Sequence, residues 1–123
     1  MMQDGLRQRT NHYAGLAAED IVARSYAARG FTEAARRWRG RGGEIDLILR
    51  DGNDVVFVEV KKSRTHAQAA QRVTRRQMDR ICTAASEFVG TEPRGSLTPI
   101  RFDVATVDAT GQVQVIANAF GGW

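Results

Sequence analysis

Residues 44–61, EIDLILRDGNDVVFVEVK, decide the fold of this chain. Apolar and β-branched side chains fill 44–50 and 55–61, a composition that is typical of strands. Between these strands, Gly52 and Asn53 tolerate the positive φ that a two-residue turn requires. The sequence therefore predicts an antiparallel hairpin in which the numbers of facing residues sum to 105.

The predicted register gives the hairpin a charged face. Because side chains alternate between the two faces of a strand, Asp46 is expected directly opposite Glu59. On the same face, Glu44 is expected opposite Lys61. Like charges that face each other destabilise a sheet, so the two carboxylates indicate a counter-charge such as Mg²⁺. Ordinary cross-strand ion pairs on a solvated face are the alternative.

The hairpin also indicates where the core lies. The opposite face of its first strand is apolar and is expected to be buried: Ile45, Leu47 and Leu49. Ile48 and Phe57 share the charged face, which predicts that this face is partly covered. Unpaired carboxylates on a covered face would be costly, and this strengthens the case for a bound cation.

The elements around the hairpin predict a mixed α/β fold. They are a helix over 11–29, a strand over 31–38, the hairpin, a loop over 62–71, a helix over 71–90 and strands over 100–107 and 112–116. This order indicates a mixed central sheet with an antiparallel hairpin meander, flanked by helices. The second helix offers a crossover through which the next strand could pair parallel to the hairpin. In the first helix, the spacing of Leu16, Glu19, Ala23 and Tyr26 places Glu19 on the inward face.

Length and composition bound the class of protein. The 123 residues are expected to form a single domain over 1–123, in which 1–10 is flexible. No apolar run reaches the roughly 20 residues of a membrane-spanning helix, so no membrane partner is expected. The N-terminus lacks the apolar segment of a secretory signal, and a single cysteine, Cys82, cannot form an internal disulfide. These features favour a cytoplasmic protein.

The positive charge is concentrated in one segment. Residues 61–80 hold seven Lys and Arg against one Asp, whereas the whole chain has a net charge of +4. A second basic cluster, RRWRGR, covers 36–41. Concentrated basic patches favour a polyanion such as nucleic acid, although a solvated helix face gives the same pattern.

The hairpin resembles a known nuclease signature. Asp46 in one strand and Glu59-Val60-Lys61 in the next are similar to the PD-(D/E)xK motif. Longer strings resemble the YraN family over about residues 15–120: GLAAEDIVARSYAARGF (15–31), RGGEIDLILRDGNDVVFVEVK (41–61) and IRFDVATV (100–107). These small bacterial proteins are similar to archaeal Holliday-junction resolvases, so the resemblance implies a restriction-endonuclease-like fold.

The resemblance also implies roles for individual residues. Those that match the catalytic string are Glu19, Glu44, Asp46, Glu59 and Lys61. Asp46 and Glu59 correspond to metal-binding carboxylates, with the backbone carbonyl of Val60 as a further ligand. Glu19 corresponds to a helix glutamate that can approach the metal, although a core-edge carboxylate paired with an arginine is the alternative. Lys61 corresponds to the lysine that orients the attacking water, and the implied cofactor is Mg²⁺ or Mn²⁺.

The implied partner is nucleic acid, namely structured or branched DNA. The residues expected to bind it are Arg36, Arg37, Arg39, Arg41, Lys62, Arg64, Arg72, Arg75, Arg76 and Gln77. Resolvase-like enzymes that cut two strands symmetrically act as dimers, so the resemblance also allows a homodimer. The family carries a glycine in the loop after the strand lysine and a lysine early in the next helix. Here 62–71 lacks glycine, and Gln77 stands near the position of that helix lysine.

These departures keep two other functions open. The first is a nucleic-acid-binding module that retains the fold without catalysis. The second is a protein-interaction module in which the helix over 71–90 docks an acidic partner. Salt-sensitive DNA binding that does not require Asp46 would indicate the former, and failure to bind any nucleic acid at low salt would favour the latter.

Overall fold

A computed structural model describes residues 17–120, which form a mixed sheet with helices on both sides. Helix α1 covers residues 17–28 of the described chain. The other elements are β1 (Thr32–Arg39), β2 (Glu44–Asp51), β3 (Asp54–Lys62), α2 (His66–Gln71), α3 (Arg75–Val89), β4 (Ile100–Val107) and β5 (Val113–Ile116). The predicted start of the first helix at Asn11, its residue Leu16 and the segment 1–10 lie outside the described residues.

The five strands lie side by side in the order β1-β2-β3-β4-β5. β2 pairs antiparallel with both β1 and β3, whereas β4 pairs parallel with β3 and antiparallel with β5. The predicted mixed sheet with an antiparallel meander is therefore confirmed. The parallel pairing after the helical crossover is confirmed as well, since α2 and α3 connect β3 to β4.

The hairpin of β2 and β3 has the predicted register. Asp51 faces Asp54, and the pairs continue to Leu47 with Val58, so each pair sums to 105. Gly52 has a φ of 63°, in the left-handed region that glycine enters without a steric penalty. The turn residues thus determine how the two strands are aligned.

Helices cover both faces of the central strands of the sheet. On one face, Tyr26 of α1 packs in a cluster with Leu47. On the other, Phe88 of α3 packs in a cluster with Ile48 and Phe57, which are 0% and 1% exposed. The face predicted to be partly covered is fully covered at these two positions, because α3 lies across it.

Two helices replace the loop predicted over 62–71 and the helix predicted over 71–90. Thr65 and Thr74 each accept a hydrogen bond from the backbone N–H three residues later, at 3.2 and 3.1 Å. They cap α2 and α3, and a capping residue has the extended backbone that interrupts a helix. The helix predicted over 71–90 therefore begins too early, because Thr74 is the N-cap of α3. Among residues 17–120, no helix is both long and apolar enough to cross a membrane.

A buried hydrogen bond fixes α1 to the sheet. The Tyr26 hydroxyl donates to Asp103 Oδ2 of β4 at 2.8 Å. Asp103 also accepts hydrogen bonds from the Arg101 guanidinium and the Asn118 backbone N–H, which satisfy its buried carboxylate. Glu19 lies seven residues before Tyr26, on the same face of α1. The anchor at Tyr26 therefore also holds Glu19 at the sheet.

The glycine-rich loop 40–43, between β1 and β2, is seated on α3. The Gly40 N–H donates to the Gly43 carbonyl at 2.9 Å and closes the loop. A Cβ added at Gly42 would lie 2.6 Å from Thr83 Cγ2 and 3.1 Å from the backbone nitrogen of Ala84. Only glycine fits there, so the loop and the start of β2 lie directly against α3.

We expect Gly42→Ala to lower the free energy of unfolding by about 1–3 kcal/mol, because the added methyl group has no space against α3. Gly90→Ala is the matched control, since a Cβ there would meet its nearest atom at an ordinary 3.4 Å. Urea unfolding of both variants measures the difference. Equal stabilities would contradict the tight seating of the loop.

Candidate functional site

Asp46 leaves the ladder between β2 and β3 and binds β3 with its side chain instead. The paired register ends at Leu47 with Val58. Beyond it, Asp46 Oδ2 accepts a hydrogen bond from the backbone N–H of Val60 at 2.8 Å. This places the Asp46 carboxylate in hydrogen-bond contact with the Glu59 side chain. The two carboxyl groups meet as the sequence indicates, through side chains rather than through a regular cross-strand pair.

Glu44 belongs to the other side of β2. It pairs in register with Arg39 of β1, and its carboxylate lies 3.3 Å from the Arg39 guanidinium. The predicted pairing of Glu44 with Lys61 is therefore wrong. The cause is that the β2–β3 ladder has already ended at Leu47, so the hairpin register does not extend to Glu44.

Both β1 and β2 change face near Asp46. In each strand, two residues three positions apart pack against the same cluster under α3, namely Ala35 and Trp38 in β1, and Ile45 and Ile48 in β2. Regular alternation would place the members of each pair on opposite faces. The prediction that Ile45 shares a face with Leu47 is wrong because of this irregularity, which turns the start of β2 toward α3.

Arg37 lies at this irregularity and binds Glu19. Its φ of 52° is in the left-handed region, which costs a non-glycine residue about 1–2 kcal/mol and is often found at functional sites. Arg37 Nε donates to Glu19 Oε2 at 3.1 Å, and this hydrogen bond is the main cause that raises the pKa of Arg37. The charges of Glu44 and Asp46 raise it further. The buried Glu19 carboxylate is thus paired with an arginine, as the alternative from the sequence describes.

Glu59, the carboxyl group in contact with Asp46, has a strongly raised pKa. Burial is the main cause that raises its pKa to about 8, and the charge and hydrogen bond of Asp46 add to the increase. Lys61 opposes this increase. Its positively charged Nζ lies 3.5 Å from Glu59 Oε1 and lowers the pKa of Glu59. At neutral pH Glu59 therefore holds a proton, which relieves the repulsion between the buried Glu59 and the half-buried Asp46.

Lys61 is held from a second side by Gln77 of α3. In the amide orientation that satisfies both of its groups, the Gln77 carbonyl oxygen lies 2.7 Å from Lys61 Nζ. The amide nitrogen of Gln77 then donates to the backbone oxygen of Arg72 at 3.1 Å. The sequence indicated Gln77 only as a nucleic-acid contact, whereas in the structure its amide contacts Lys61, the lysine beside Glu59.

The donor set fits one hard divalent cation. Asp46 and Glu59 offer adjacent carboxylate oxygens, and a buried pair that is neutralised by a proton is a pair that a cation could neutralise instead. Within residues 17–120, no group of three or more His, Cys, Asp and Glu side chains is arranged to hold a metal ion. Two carboxylates with water and backbone oxygens suit Mg²⁺, which is commonly bound by one or two protein carboxylates.

The predicted basic residues are exposed, and their two segments meet at loop 40–43. The exposed cations are Arg36, Arg37, Arg39, Arg41, Lys62, Arg64, Arg72, Arg75 and Arg76. A Cβ added at Gly43 would lie 3.4 Å from Arg80 Cβ, so the loop adjoins the basic helix α3. Arg80 belongs to the basic segment 61–80, and the seating of the loop brings it beside the start of β2.

The two segments differ in how their charge is balanced. Three of the β1 arginines pair with carboxylates: Arg36 with Glu33, Arg37 with Glu19 and Arg39 with Glu44. These ion pairs reduce the positive charge that β1 offers to a polyanion. In α3, Arg75 pairs with Asp79, and the exposed Arg76 and Arg80 add positive charge on the helix that carries Gln77.

Fold and site together define a class: a mixed α/β protein with a buried, lysine-linked carboxylate pair beside a basic helix. The chain belongs to the uncharacterised protein family UPF0102, whose model matches residues 18–107. This is the YraN family that the sequence resembles, so the resemblance is confirmed. The matched residues include Asp46, Glu59, Lys61 and Gln77.

Individual relatives cover most of the chain. A UPF0102 protein of Cereibacter sphaeroides is 63% identical over 110 residues, which is 89% of this chain and 94% of that protein. A UPF0102 protein of Ruegeria pomeroyi is 59% identical over 111 residues, or 90% of each chain. A UPF0102 protein of Dinoroseobacter shibae is 44% identical over 105 residues, which is 85% of this chain and 78% of that protein.

The raised pKa of Glu59 predicts that stability without divalent cations falls as the pH rises. Between the ordinary value of 4.5 and about 8, the folded protein holds a proton that the unfolded chain releases. The loss is at most about 1.4 kcal/mol per pH unit. Glu59→Gln mimics the protonated group, so it should be more stable than the wild type at pH 8 and similar at pH 5.

Urea unfolding at pH 5, 6, 7 and 8 in the presence of a chelator measures this difference. Glu33→Gln, at an exposed glutamate of β1, is the control and should follow the wild type. A constant difference between Glu59→Gln and wild type over the whole range would contradict the raised pKa.

Proposed function

We propose that this protein is a metal-dependent nuclease of the PD-(D/E)xK type, with a restriction-endonuclease-like fold, that hydrolyses phosphodiester bonds in structured or branched DNA. One observation carries the proposal: the half-buried Asp46 contacts the buried Glu59, and Lys61 Nζ lies 3.5 Å from Glu59. Two carboxylates and a lysine are the groups that metal-assisted hydrolysis of a phosphodiester uses.

Asp46 and Glu59 would hold Mg²⁺ or Mn²⁺, with the backbone carbonyl of Val60 as a further ligand. When bound, the cation supplies a Lewis acid and lowers the pKa of a coordinated water. Glu59 must first release the proton that its raised pKa allows it to hold. Asp46 is preoriented for its role, because the hydrogen bond from the Val60 N–H fixes one of its oxygens.

Lys61 would orient the attacking water and offset the charge that develops on the phosphate. Its side chain is 16% exposed, so solvent reaches it only in part. Glu59 and Gln77 hold the ammonium from two sides. Glu19 contributes indirectly in this arrangement, because its carboxylate is bound to Arg37 beside the cluster.

The basic surface of α3 and loop 40–43 would bind the phosphate backbone. Arginine contacts to phosphates position a duplex without reading its bases, which suits an enzyme that recognises shape. The charge of this surface adjoins the proposed site, because Gln77 of the first turn of α3 contacts Lys61. Binding supported by such contacts weakens steeply as the salt concentration rises.

A nucleic-acid-binding module without catalysis is the second candidate. Two observations favour it: Glu19 is already paired with Arg37, and the neutral Gln77 supplies no charge to a phosphate. In this reading, the fold and the basic surface are retained for binding alone. Cleavage assays therefore need a parallel measurement of DNA binding.

We expect wild-type protein to cleave a labelled four-way junction in the presence of Mg²⁺ or Mn²⁺, and Asp46→Asn to lower the rate roughly a hundredfold or more. Asparagine can still accept the Val60 N–H, so this variant removes the charge of Asp46 while preserving that hydrogen bond. Asp54→Asn, at the exposed hairpin turn, is the matched control and should cleave like the wild type.

Binding of the same junction is measured in a chelator by fluorescence anisotropy at two salt concentrations. Unchanged cleavage by Asp46→Asn would contradict the assignment of the site. Salt-sensitive binding by all three proteins, with no cleavage of junctions, linear DNA or RNA in either metal, would replace the nuclease by the binding module.

A further inference from the structure

A ring of contacts joins Lys61 to the two helices that follow it. The Gln77 carbonyl oxygen lies 2.7 Å from Lys61 Nζ, and its amide nitrogen lies 3.1 Å from the backbone oxygen of Arg72. Arg72 in turn donates from its guanidinium to the backbone oxygen of Lys62 at 3.0 Å. The ring therefore closes on the residue next to Lys61.

We propose that Gln77 is a positioning residue that fixes the ammonium of Lys61 for its work at the Asp46–Glu59 pair. The catalytic meaning of this role rests on the proposed nuclease function, whereas the positioning itself is a property of the folded chain. Gln77 acts through Lys61 and is not assigned a contact with the reacting phosphate.

The backbone of Gln77 is as well anchored as its side chain. Its N–H donates to the Thr74 hydroxyl at 3.1 Å in the N-cap of α3. Arg72 is the C-cap residue of α2, so the two anchors of Gln77 come from the ends of both helices. The joint between α2 and α3 thus sets where the Gln77 oxygen lies, and that oxygen sets where Lys61 Nζ lies.

The Gln77 amide offers an acceptor to Lys61 and a donor to Arg72, and the position of Lys61 depends on the acceptor. An ammonium group has three N–H donors and no acceptor, so it binds the carbonyl oxygen of an amide, whereas another lysine could not accept from it. The amide nitrogen supplies the donor for the Arg72 oxygen. One N–H of the Lys61 ammonium points to the Gln77 oxygen and another to Glu59. The tetrahedral geometry then defines the direction of the remaining N–H.

Positioning predicts different kinetics from a direct phosphate contact. If Gln77 holds Lys61, its loss leaves substrate affinity nearly unchanged and lowers the rate of the chemical step. If Gln77 instead binds DNA, as its place beside the arginines of α3 indicates from the sequence, its loss weakens binding. The order of the Lys61 ammonium in the free protein distinguishes the two without any substrate.

The test compares wild type, Gln77→Met, Gln77→Glu and Gln71→Met. Methionine keeps the length and helix propensity of glutamine but accepts hydrogen bonds only weakly, whereas glutamate still accepts from Lys61. Gln71 is exposed at the end of α2 and receives the same substitution as a control. The readouts are the ¹⁵Nζ-edited NMR signal of Lys61 in metal-free, DNA-free protein, and kcat and KM on the four-way junction.

We expect wild type, Gln77→Glu and Gln71→Met to show a resolved Lys61 ammonium signal with slowed hydrogen exchange, and Gln77→Met to lose it. In Gln77→Met, kcat should fall about tenfold while KM changes less than twofold. A Lys61 signal that survives in Gln77→Met, with a change in KM alone, would overturn the proposal.

The NMR readout separates this proposal from the nuclease function. If wild type cleaves nothing but the Lys61 signal depends on Gln77, the proposed function fails while the positioning role stands. If cleavage requires Asp46 but the Lys61 signal is the same in wild type and Gln77→Met, the positioning role is the part that fails.

Discussion

The carboxyl groups of Asp46 in β2 and Glu59 in β3 lie in contact, and the groups around them reduce the electrostatic repulsion between them. Burying two adjacent negative charges is unfavourable unless a proton, a cation or a hydrogen-bond network compensates them. In the described chain, the compensation comes from a proton on Glu59, the ammonium of Lys61 and the backbone N–H of Val60. Each of these groups belongs to β3, so the strand that carries Glu59 also supplies the groups that reduce its repulsion with Asp46.

The fold brings this site together from distant parts of the chain. The Tyr26–Asp103 hydrogen bond fixes α1, which carries Glu19, while the seating of loop 40–43 on α3 fixes the start of β2. Arg37 of β1 has a strained backbone, and its guanidinium binds Glu19 of α1. A strained residue persists only where its surroundings over-determine it, and here the irregularity of β1 and β2 is what lets Asp46 turn toward β3.

The sequence predicts the sheet better than it predicts the site. Gly52 and Asn53 define the turn, and from the turn the hairpin register follows as far as Leu47 and Val58. Beyond that point the prediction of Glu44 opposite Lys61 is wrong, since the β2–β3 ladder ends at Leu47 and Glu44 pairs with Arg39 of β1, which the hairpin alone does not indicate. The proximity of the two carboxylates could be predicted because the hairpin register places Asp46 near Glu59. The hydrogen bond that Asp46 accepts from the Val60 N–H lies beyond the last pair of the ladder and could not.

Errors in the helical region have a different physical origin. Thr74 lies inside the helix predicted over 71–90, but its hydroxyl caps the start of α3. Whether a threonine side chain bonds the backbone in this way is not determined by composition alone. That cap is also what brings Gln77 to Lys61, so the missed helix boundary and the missed contact have one cause. The proximity of Arg80 to Gly43 depends on packing across 37 positions of sequence and carries no local signal.

The most direct test of the account is to grow crystals in Mn²⁺ and collect anomalous diffraction data. The account predicts an anomalous peak at about 2.0–2.2 Å from oxygens of both Asp46 and Glu59, with no such peak in crystals of Asp46→Asn. A saturating Mn²⁺ concentration that leaves the pair without a peak, or a peak that persists in Asp46→Asn, would contradict the claim that this carboxylate pair is a cation site.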